Sequence, residues 1–133
     1  MKNIVELIEE SPNLYVLKGI SNQEIIDAEK ELNLSFSNEY KSYLKEFGVA
    51  SFDGHEWTGI CKSNRLNVVH VTNLEMMRNS LVPKEFYVIE QTNIDDVVIW
   101  QNKEGEVYQS TSISNSLKIA NSLVDYLNNI LRK

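Results

Sequence analysis

The sequence predicts an α+β fold, with N-terminal helices and a long C-terminal helix packed on a mainly antiparallel β-sheet. Three observations carry that expectation. Apolar residues recur at helical spacing through the first 47 positions, the middle of the chain holds short β-rich runs separated by turn signals, and helical spacing returns from Leu117 onward. Helices set apart from hairpin-linked strands are the α+β pattern, whereas strict alternation would indicate a parallel sheet.

Ile4, Leu7 and Ile8 mark a first short helix ending near Ser11-Pro12, and Tyr15-Val16-Leu17 a short strand or extended link. Ser21 and Glu24 form an S-x-x-E capping box ahead of Ile25, Ala28 and Leu32. Ser37 is placed to cap a third helix, on which Tyr40, Tyr43, Leu44 and Phe47 fall at i, i+3, i+4, i+7, with Gly48 in the left-handed position that ends it. Asp53-Gly54 reads as a turn between Ala50-Ser51-Phe52 and a returning strand, Glu56 to Ile60. Val68, Val69 and Val71 are expected in a further strand, and Thr72 and Glu75 in a second capping box before a short helix with Leu74, Met76 and Met77. Phe86 to Ile89 and Val97 to Trp100 are continuous apolar runs of β-formers, the pattern of central strands. Gly105 closes a tight loop before Val107-Tyr108. Leu117, Ala120, Val124, Leu127 and Leu131 trace the long closing helix, with Ser114 or Asn115 as its cap.

A chain of 133 residues reads as one domain, residues 1–133, long enough to bury roughly two-thirds of its unfolded surface without disulfides or metal. The single cysteine, Cys61, fits a reducing compartment. The N-terminal segment lacks the basic start and apolar run of a signal peptide, and no stretch approaches the ~18 apolar residues of a membrane span. The expected location is cytoplasmic, with no membrane partner.

Net charge is −6, all of it from residues 1–56, where eleven acids face five lysines; the remainder holds eight acids and eight bases. An acidic half repels nucleic acid and suits a basic partner. It serves equally to keep a small protein soluble. The candidate contact residues are Asp27, Glu31, Glu39, Asp53, Glu56 and Trp57, the last three in the segment from Phe52 to Trp57, where acids, His55 and a tryptophan meet at a turn. The competing reading packs Trp57 on the third helix and leaves the acids solvated.

Catalytic chemistry has little to stand on. His55 and His70 are the only histidines, Cys61 has no C-x-x-C mate, and neither a nucleophile elbow nor a glycine-rich phosphate loop occurs. Cys61 with a histidine, or the Asp95-Asp96 pair, are the only conceivable reactive groups. An inert thiol and a turn between strands are the expected readings. No metal and no cofactor are expected.

An ordered set of segments resembles the SUKH superfamily of cell-wall assembly regulators and bacterial immunity proteins. These are the helix Ile25 to Leu32, the run Leu34 to Gly48 with its polar-tyrosine helix and terminal Phe-Gly, then Phe52-Asp53-Gly54 and Gly59-Ile60, Asp96 to Trp100, the hairpin Glu104 to Tyr108 and the closing helix. The likeness spans about residues 20–131, departs at Phe36, where many members have proline, and is closest to the YobK-type antitoxin. It implies an immunity protein that binds and neutralises a cognate protein toxin, an RNase or other nuclease, encoded by the adjacent gene. The alternative it implies is a regulatory scaffold without a toxin. It supplies no catalytic residue.

Overall fold

A computed structural model describes residues 2–131. The elements in chain order are α1 (Ile4–Glu9), β1 (Tyr15–Lys18), α2 (Asn22–Leu32), α3 (Asn38–Glu46), β2 (Phe47–Phe52), β3 (His55–Trp57), a 3-10 turn (Asn64–Leu66), α4 (Val68–Arg78), β4 (Tyr87–Gln91), β5 (Val98–Gln101), β6 (Val107–Ser110), β7 (Leu117–Ala120) and α5 (Leu123–Leu131). The seven strands form one sheet in sequence order, every neighbouring pair antiparallel. The α+β architecture with N-terminal helices and a C-terminal helix is as the sequence predicts.

Alternation along the central strands divides the core in two. Tyr87, Ile89, Ile99 and Val107 face α1, α2, α3 and α5 and join Tyr40, Tyr43, Leu44, Phe52, Trp57, Leu123 and Leu127. Val88, Val98 and Trp100 point the other way, to a smaller cluster with Val71 of α4, Val82 and Phe86. The tyrosines of α3 carry the larger core's polar connections. Tyr43 Oη donates to Thr58 O at 2.8 Å and accepts from Ala50 N at 3.0 Å, and Tyr40 Oη lies 2.9 Å from Thr58 Oγ1.

Local signals hold where expected in most places. The Ser21–Glu24 capping box forms, Ser37 Oγ accepts from Tyr40 N at 2.9 Å, and Asp53 and Gly54 turn the β2–β3 hairpin at φ 46° and 82°. Four expectations fail. Val68, Val69 and Val71 begin α4 instead of a strand, because the Asn67 side chain accepts from Val69 N and His70 N and so caps a helix there. Thr72 and Glu75 consequently lie mid-helix and form no capping box; both are buried, and Thr72 Oγ1 accepts from Val88 N. Gly48 ends no helix in the left-handed region. α3 runs straight into β2, and a Cβ at Gly48 would meet Lys18 O at 2.6 Å, so the glycine permits close approach of β1. The C-terminal helix is short, since Leu117–Ala120 pair with β6 as β7; Ser122, not Ser114 or Asn115, caps α5 by accepting from Asp125 N at 3.0 Å. Cys61 is half-buried, its thiol donating to Ser63 O at 3.4 Å.

Candidate functional site

α2 buries Ile25 and Ala28, which turns Glu24, Asp27 and Glu31 to one outer side at i, i+3, i+7. That side forms a wall of a groove of about 460 Å³, whose other lining comes from Ile60 and from Asn64, Asn67, Val69, His70 and Asn73 around the start of α4. The asparagine cap that starts α4 thus also shapes the groove, and its Nδ2 donates to Cys61 O at 2.9 Å. Three carboxylates line this concavity, and none of the lining residues is Lys or Arg. Their arrangement is unfavourable for the helix itself. Like charges at i,i+3 and i,i+4 cost roughly 0.2–0.5 kcal/mol per pair, and Glu31 stands in the last turn, where the helix dipole disfavours an anion. Gln23 Nε2 donates to Asp27 at 2.9 Å and the capping box engages Glu24, but Glu31 has no side-chain hydrogen bond among the described residues.

The expected contact residues do not share one surface. Asp27 and Glu31 meet in the groove, joined by Glu24, whose capping role had masked it in the sequence. Asp53 is exposed at the tip of the β2–β3 turn and does not line the groove. Glu56 takes both guanidinium nitrogens of Arg65, at 2.6 and 3.0 Å, and this bond holds its carboxyl below the usual range. The pairing neutralises a cation beside the groove residue Asn64.

Glu39 and Trp57, two of the expected contact residues, are engaged within the fold. Glu39 accepts from Leu123 N at 2.6 Å and Val124 N at 3.0 Å, capping α5 from α3, while burial raises its pKa despite those bonds. Trp57 is 0 % exposed. Its ring meets Phe52 and Tyr43 edge-on, with centroids 5.3 and 5.8 Å apart, and stacks on Tyr126 at 6.2 Å. An anchor residue must reach its partner, so the packing reading of Trp57 on the third helix applies. Asp95 and Asp96 both have positive φ in the loop between β4 and β5, which fits the turn reading.

One constellation went unrecognised in the sequence. Glu90 ends an apolar run in a central strand, yet its carboxylate points to the helix face, because the β4 register shifts between Val88 and Glu90. There it accepts from His55 Nδ1 at 2.8 Å and Tyr126 Oη at 2.9 Å. Burial, and after it the Glu90 charge, pushes the Tyr126 hydroxyl well above the usual phenol range, so it stays a donor. A buried acid after three apolar strand residues was the available signal. No hydroxyl or thiol among the described residues bonds the free side of His55.

Among the described residues no helix is long and apolar enough to cross a membrane. A family model described as SMI1-KNR4 cell-wall matches residues 1–132, further toward the N-terminus than the segments that carried the resemblance. No curated protein matches the chain. With the match covering nearly every residue and the fold agreeing, the chain belongs to the SMI1-KNR4 family of the SUKH superfamily, a non-catalytic type of fold associated with immunity proteins.

Proposed function

We propose that the chain is a cytoplasmic immunity protein of YobK-like type that binds a cognate polymorphic toxin and neutralises it, the toxin domain being an RNase or another nuclease. The observation that carries this reading is the α2 groove, with Glu24, Asp27 and Glu31 on one wall and no basic residue in its lining. Nuclease domains present cationic surface to phosphate, and an acidic concavity fits such surface by charge and speeds encounter with it. The protein works by docking; it is not an enzyme. Family membership and the cost of placing three carboxylates on one helix face both support a binding role.

Co-expression tests the function. Cells carrying the toxin encoded by the adjacent gene survive with this protein and die without it, and the two proteins co-purify. Survival with an unrelated acidic protein in its place would defeat the reading. The family description also supports a second reading, a regulatory scaffold that recruits a partner other than a toxin. A locus with no toxin gene beside it favours the scaffold.

A further inference from the structure

A second cavity, of about 340 Å³, opens over Glu90, lined from the β2–β3 turn, the strands β3 to β7 and α5. Five aliphatic side chains, of Ile94, Val97, Ile99, Ile119 and Ile130, share its lining with six polar residues, of which Glu90 is the one acid. That carboxylate is 3 % exposed. A carboxylate has about four acceptor sites, of which His55 and Tyr126 occupy two. Each carboxylate oxygen thus accepts one hydrogen bond and keeps a further acceptor position for a donor that enters the cavity. Concave sites that combine aliphatic surface with placed polar groups, as this lining does, are where ligands seat.

We propose that this cavity receives the side chain of an arginine or lysine from a protein partner. The isoleucines take the aliphatic stem, and Glu90 takes the cationic head. Long basic side chains are amphipathic in that sense, apolar along the stem and charged at the tip. The mouth is suited to a protein surface. Ile94 is 67 % exposed at its rim, on a loop whose Asn93, Asp95 and Asp96 all hold positive φ, and the exposed acids Asp53, Asp95 and Asp96 flank it in sequence. No Lys or Arg is among the lining residues. The partner's identity rests on the immunity reading; the chemistry of the cavity does not.

The test uses the full chain with ¹³C-labelled isoleucine methyl groups, titrated with N-butylguanidinium and, separately, with its uncharged isostere N-butylurea. The expected result is saturable shifts of the Ile99, Ile119 and Ile130 methyls with the cation, and at least tenfold weaker binding of the urea. Glu90→Gln, which keeps the shape and can still bond His55 and Tyr126, weakens the cation at least tenfold. Ile94→Ser, at an exposed site that leaves folding intact, weakens it several-fold. Equal binding of the two probes, shifts confined to other isoleucines, or an unchanged affinity in folded Glu90→Gln overturns the proposal. Binding seen only in an Arg132→Ser/Lys133→Ser variant assigns the cavity to the chain's own terminus and also overturns it. With the toxin in hand, a double-mutant cycle between Glu90→Gln and single alanine substitutions of the toxin's basic residues finds one coupled position. Toxin neutralisation that persists with no such coupling sinks this proposal and leaves the immunity reading standing.

Discussion

At the start of α3, Glu39 reaches across to the opposite end of the chain and holds the first two amides of α5. Helix N-termini leave such amides without intrahelical partners, and a charged acceptor there is worth more than a neutral one. Glu39→Ala removes the acceptor and leaves both amides without a partner, and is therefore expected to cost about 1–2 kcal/mol in chemical denaturation. Because burial raises its folded pKa, Glu39's titration contributes stability that is complete below the ordinary value of 4.5 and is lost as pH rises through the folded value. Glu106 behaves oppositely. Its carboxyl is lowered to about 2, first by Lys118 at 2.8 Å and then by Asn102. Its contribution is present above 4.5 and disappears as pH falls through about 2. An NMR titration is expected to place the Glu106 midpoint near 2 in the native chain and to return it toward 4.5 in Lys118→Ala. Trp57 belongs to the same scale. Removing this enclosed ring by Trp57→Ala is expected to cost roughly 3–5 kcal/mol, a stability effect that should be read from the unfolding midpoint before any binding loss is interpreted.

The elements show what could be read from the sequence and what could not. α2, α3 and the hairpins are legible because each carries its own local instruction, a capping serine, an i, i+3, i+4, i+7 stripe, or a residue free to take positive φ. α4 and β7 are not, because their decisive partners lie elsewhere in the chain. Val68, Val69 and Val71 have strand propensity, but Val68, Val71, Thr72 and Glu75 fall on one buried helix face, and Asn67 starts the turn. Leu117 to Ala120 have acceptable helical spacing, yet hydrogen bonding to β6 wins, and Glu39 delivers the start signal of α5 from 84 residues away. Asn67→Ala is expected to destabilise the fold by about 1 kcal/mol and to disturb the α2 groove, measured as loss of helical ellipticity and a lowered unfolding midpoint. The candidate site divides the same way. Asp27 and Glu31 were readable from helical spacing and charge, whereas Glu90 was hidden, because its inward direction follows from a register shift that no local pattern announces.

For the whole molecule, charge placement is the property that connects fold to function. The chain sets three acids along one wall of a groove at some cost to α2, and it removes the nearby cation of Arg65 by pairing it with Glu56. A trade-off follows. Glu31→Gln is expected to raise the unfolding free energy by a few tenths of a kcal/mol, through relief of repulsion and of the unfavourable dipole end, while weakening partner binding. The most direct measurement is calorimetric titration of the purified toxin domain into the native protein and into an Asp27→Lys/Glu31→Lys variant of matched thermal stability. A loss of roughly a hundredfold or more in affinity, with a shallower salt dependence, is the result this account predicts. An affinity that survives the charge reversal unchanged would contradict it.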